Sequence, residues 1–72
     1  MRARHADIDQ AESAARNAEQ TFAREQDLVR SGASTAQLLD DARARRDQAV
    51  AGLARARDML ARTEAEEGSI AL

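Results

Sequence analysis

Few side chains in this chain could do chemistry by type and spacing. His5 and Asp9 stand four residues apart, which puts two metal ligands on one face of a helix. Two ligands near a chain end are not a site, because a closed zinc site takes four and a catalytic one three. The spacing therefore predicts a surface histidine and no bound metal. Carboxylates are plentiful, with 13 Asp and Glu, but a general acid or base needs a concave, water-poor pocket to move its pKa. No glycine-rich phosphate loop is present, and no nucleophile is paired with a base. The sequence predicts neither an enzyme nor a cofactor.

What remains is recognition by a surface, and one stretch stands out for it. "REQDLVRSGASTAQLLDDA", residues 24–42, interrupts a chain otherwise built of strong helix formers. Gly32 can take the left-handed conformation that ends a helix, and Ala33 can pack back onto it. Ser34 is then a good N-cap, with Gln37 three residues on completing a capping box; Thr35 is the competing cap. Arg30 suits the negative end of the first helix dipole, and Asp40 and Asp41 suit the positive end of the second. Each signal says stop, turn, restart.

The elements that position this stretch follow from periodicity. Ile8, Ala11, Ala15, Ala18, Phe22, Glu25 and Val29 are spaced alternately three and four apart. So are Leu39, Ala42, Arg46, Ala49, Leu53, Ala56, Leu60 and Thr63. These are two apolar seams of the coiled-coil kind. Folding at residues 31–34 brings them into register, with Val29 facing Leu39, Glu25 facing Ala42, Phe22 facing Arg46 and Ile8 facing Leu60. Leu28 and Leu38 flank the seam beside the turn. Arg46 can lay its stem on Phe22 and send its guanidinium to Glu25 or solvent. Glu12–Arg16, Asp41–Arg45 and Asp58–Arg62 have the spacing of solvent-face ion pairs.

The expected fold is all-α: two long antiparallel helices in an Ala-rich coiled-coil hairpin. The helices run over about 3–30 and 36–67, the turn over about 31–35, and the tail 68–72 frays after Gly68. The whole of 1–72 is one unit. Alanine contributes about a third of the ~1.5–3 kcal/mol that a buried Leu does. The isolated hairpin is therefore expected to be marginal, to pair with a second copy, or to belong to something larger.

Composition excludes other classes. The net charge of −2, the absence of Lys and the single aromatic, Phe22, argue against nucleic-acid binding. No apolar run approaches the ~20 residues of a membrane span, so no membrane insertion by this segment is expected. The start, "MRARHADIDQ", has no signal segment.

The elbow resembles the tip of the α-helical hairpin of HlyD-type membrane fusion proteins, the periplasmic adaptors of bacterial efflux pumps and type I secretion systems. The family pattern is Arg, three residues, Leu, six residues, Ser, and then an acidic, Ala-containing segment. Arg24 and Leu28 match; the family Ser falls on Thr35, with Ser34 one residue before it. The third member of the motif is therefore Ser34 or Thr35. The second arm departs from the family: "Ala61-Arg62-Thr63-Glu64" begins the usual exit toward a lipoyl domain, but "Ala65-Glu66-Glu67-Gly68" follows, with no Pro and no strand pattern. The chain reads as an excised hairpin or one with non-native ends.

The resemblance implies docking of the tip onto a TolC-type outer-membrane channel in a tripartite complex in the periplasm. Arg24 would donate to backbone carbonyls of the channel, Leu28 would fill an interhelical groove, and Ser34 or Thr35 would hydrogen-bond there. It further implies side-by-side association of hairpins in a ring, and contact with an inner-membrane transporter through other parts of the parent. The alternative is a structural or oligomerisation coiled coil with no tip-binding role, in which Arg24 is one more surface charge.

Overall fold

The computed structural model describes residues 2–71, with side-chain environments for 5–68. Helix α1 spans Arg2–Arg30 and helix α2 spans Ala36–Ala71. They pack against each other as an antiparallel all-α hairpin.

Both helices form where propensity and seam coincide, and every seam residue named above is buried or half-buried. Ala15 and Ala42 are the most enclosed, each 5% exposed. They are small enough to let the opposite helix close over them, as packed alanine layers require. The expected register holds where contacts report on it. The Arg46 guanidinium carbon lies 4.6 Å from the Phe22 ring centre. Glu25 and Ala42 line one groove, and Ala11 and Ala56 line another.

The elbow closes by a Schellman motif. Gly32 sits at φ 82°. Its N–H donates to Val29 O at 3.0 Å, and the Ala33 N–H donates to Leu28 O at 2.7 Å. These bonds satisfy carbonyls that the end of α1 would leave orphaned. The Ser31 hydroxyl also donates to Leu28 O, at 3.0 Å.

Three expectations need correction. The N-cap of α2 is Thr35, not Ser34: Thr35 Oγ1 accepts from the Leu38 N–H at 3.2 Å. The third helical position is then Leu38, so Gln37 cannot complete a capping box. Second, the frayed tail after Gly68 is not what forms. Helix α2 continues through Gly68 to Ala71, because a lone Gly weakens a helix by about 1 kcal/mol relative to Ala without redirecting it. Leu72 lies outside the described residues. Third, the Arg46 guanidinium does not reach Glu25; it bonds Asp47 at 2.7 Å and stacks over Phe22.

The result is a rod of 61 × 16 × 12 Å with a radius of gyration of 17.0 Å. A compact chain of this length would have about 11 Å. The rod exposes 5461 Å², against about 4,400 Å² for a compact monomer of this mass. Among the described residues, no helix is long and apolar enough to cross a membrane.

Candidate protein-interaction tip

The four candidate residues fall within one end of the rod. Arg24 lies on the last two turns of α1 and is exposed. Its side chain makes no ion pair with a described residue. Leu28 follows one turn later, on the same side of the helix. It is half-buried, and its carbonyl is fixed by Ala33 and Ser31. The elbow thus holds Leu28 in place and leaves Arg24 free to reach outward.

The two hydroxyls separate. Ser34 Oγ donates to Glu25 Oε2 at 2.5 Å, across the elbow. Both residues are half-buried, and a carboxylate at a seam position needs such a donor, since an unpaired buried charge is costly. Ser34 therefore ties the two helices together. Thr35 is exposed. Its oxygen caps α2, but in that bond it is an acceptor, so its O–H proton remains available to a partner. Sequence spacing alone left these two equivalent; the carboxylate opposite Ser34 distinguishes them.

Around the shaft the charges divide by flank. Edge positions recur every seven residues beside the seam. On one flank stand Glu12, Glu19 and Gln26 of α1 with Arg43, Val50 and Arg57 of α2. Here Arg57 bridges to Glu12 across the helices at 3.3 Å, and Glu12 also meets Arg16 at 3.9 Å. Arg43 lies 5.6 Å from the Phe22 ring centre, beside Arg46. This is the paired flank. On the other, open flank stand Ala14, Thr21 and Leu28 of α1 with Leu38, Arg45, Gly52 and Met59 of α2.

On the open flank the expected Asp41–Arg45 pair does not form. The other two expected pairs, Glu12–Arg16 and Asp58–Arg62, do, the second at 3.0 Å. Asp41 and Arg45 instead line a groove near the elbow with Thr21, Glu25, Leu38 and Ala42. Leu38 was expected to flank the seam beside the turn with Leu28, and it stands at that edge. It is 52% exposed; the extent of that exposure and the unpaired Arg45 beside it are what sequence reasoning missed. The spacing of Leu38 from Thr35 held the signal, because a residue one turn past an exposed cap stays near the tip.

His5 is exposed on the first turns of α1, at the opposite end from the elbow. Comparison of the chain with known protein families, curated proteins and solved structures finds no match.

Proposed function

We propose that this hairpin is the docking arm of a HlyD-type periplasmic adaptor, meeting a TolC-type outer-membrane channel through its elbow. The observation that carries the reading is the exposed Arg24, without a carboxylate partner among the described residues, one turn before Leu28 and at the same end of the rod as the exposed Thr35 cap. Five N–H donors in a rigid fork suit the open carbonyls of a partner's helix ends or turns. Leu28 supplies the apolar contact, and Thr35 is the tip hydroxyl. In this reading the arms are a spacer that carries the tip away from the rest of an inner-membrane-anchored adaptor. Side-by-side hairpins in a ring add avidity to a contact that is weak alone.

A second reading, a structural coiled coil, is supported by the work that Ser34 and Thr35 do inside the fold. Arg24 separates the two. Six copies of the chain, fused by their open end to a hexameric carrier, are tested for binding to TolC-type channels at moderate salt. Arg24→Asp is run beside them after circular dichroism establishes equal helicity. The docking reading expects the parent to bind and the variant to lose about a hundredfold or more, as a central hot-spot arginine does. Equal binding by both reduces Arg24 to a surface charge and returns the hairpin to a spacer.

A further inference from the structure

The geometry points to a docking face on one flank of the tip, not its apex, with Leu38 as a second apolar anchor and Arg45 as a second basic contact. This deepens the docking proposal and rests on it. Leu38 is a large apolar side chain exposed by 52%. It lies on the open flank in a groove shared with Thr21, Asp41 and Arg45. Leu28 lies on the same flank at the end of α1. Arg24, one turn before Leu28 and three residues past Thr21, borders this patch from the other helix.

The charges say what should fill it. Arg24, Arg45 and Arg55 all lie toward the open flank, and none has a carboxylate within 4.0 Å among the described residues. Toward the paired flank and within the seam, Arg16, Arg46 and Arg57 are each matched by a carboxylate, while Arg43 meets only the Phe22 ring; farther down the open side, Arg62 pairs with Asp58, so the unmatched arginines of the open flank are those nearer the elbow. The tip patch is therefore an apolar pair, Leu28 and Leu38, with two unmatched guanidinium groups on its shaft side and Asp41 in the same groove. The complementary occupant is an α-helix of the channel's periplasmic end. It would set one apolar side chain between Leu28 and Leu38 and turn carboxylate or free carbonyl oxygens toward Arg24 and Arg45. A like-charged or wholly polar helix would leave the leucines wet and the arginines unmatched.

The test uses the hexamer-displayed chain and the same channels, with Leu38→Glu and Leu38→Ala. Val50→Glu and Met59→Glu serve as controls, since both residues are also exposed, 40% and 60%. Val50 lies on the paired flank and Met59 far down the shaft. Leu38→Glu is expected to weaken binding at least about tenfold and Leu38→Ala less, while the controls stay within about twofold. Arg45→Glu should fall between. If the parent binds and both Leu38 variants match the controls, the flank assignment is wrong while tip docking through Arg24 stands. If the parent binds no channel, the docking reading fails and this inference fails with it. Sedimentation of the free chain closes the other route. A dimer that Leu38→Glu splits, with channel binding unchanged, would show that a second copy fills the groove and would overturn the proposal.

Discussion

The two flanks of this hairpin are cut from the same helices, the same heptads and the same three charged residue types, yet they differ. The paired flank meets part of its charge internally: Glu12 receives Arg57 from the opposite helix, and the Phe22 ring receives Arg43 and Arg46, while Glu19 makes no ion pair with a described residue. The open flank has Arg45 and Asp41 in one groove without an ion pair between them, beside an exposed leucine. A flank whose charges are matched has little to offer a partner, since each contact must first be broken. A flank with unmatched charge around an apolar strip has the composition of an interaction surface, where arginine and large apolar groups are enriched. The difference teaches that in a two-helix rod the seam fixes the fold, while the edge positions decide which side is free to bind.

The largest effect expected from breaking this asymmetry comes from Phe22. It is the only aromatic in the chain, and it holds two arginines over its ring on the side away from the groove. Phe22→Ala removes the bulkiest seam contact and both cation–π contacts at once. A fully buried Phe→Ala change costs about 3–5 kcal/mol. Phe22 is half-buried, so about 2 kcal/mol is expected. For a small domain that is a loss of roughly 10 °C in Tm. Thermal unfolding followed by circular dichroism measures it. A shift under about 3 °C would mean that the alanine layers alone hold the helices together.

That the hairpin forms at all was legible in the sequence, for identifiable reasons. The alternation of three- and four-residue steps from Ile8 to Val29 and from Leu39 to Thr63 is a local property, and the burial of those positions follows it. Gly32 was legible because only a residue without a Cβ takes its φ readily. What sequence could not resolve depended on the opposite helix. Ser34 and Thr35 are equally good caps in isolation, and the choice was made by Glu25, which lies nine residues away and accepts the Ser34 hydroxyl's hydrogen bond. Asp41 and Arg45 have the right spacing for a pair, but spacing permits a bond without requiring one. The exposure of Leu38 depends on how the helices roll about the seam, which a heptad pattern leaves open by a fraction of a turn. The extension past Gly68 was missed because a helix stop needs the chain to turn, and the glycine there only lowers propensity.

The joint between the flanks is sharpened by two glycines with opposite expectations. Gly32→Ala places a Cβ at φ 82°, which the left-handed region disfavours by about 1–2 kcal/mol. No atom lies within 4 Å of that Cβ, so the whole effect is backbone strain. Gly52→Ala, on the open flank, meets only Arg55 Nη2 at 3.7 Å, an ordinary contact with a mobile side chain. It should stabilise the hairpin by about 0.5–1 kcal/mol through helix propensity. Urea unfolding of the two variants should therefore move in opposite directions. The Gly52 variant should bind channel as the parent does, because the docking face ends near the elbow. Weakened binding by Gly52→Ala at raised stability would extend that face down the shaft.

The smallest effect tests the flanks most directly. Arg57→Gln removes the one charge pair that crosses between the helices among the described residues. Arg45→Gln removes a charge with no such pair. Arg57 is well exposed, so screening by water and ions limits the loss to a few tenths of a kcal/mol, at the low end of the ~0–1 kcal/mol range for surface pairs. That loss should vanish at high salt, where the Debye length falls to about 3 Å. Arg45→Gln should leave stability unchanged at either salt. The measurement is urea unfolding of both variants at low and high ionic strength. If Arg45→Gln destabilises as much as Arg57→Gln and loses the effect in salt, then Arg45 is paired in solution. The open flank would then be no more available to a partner than the other.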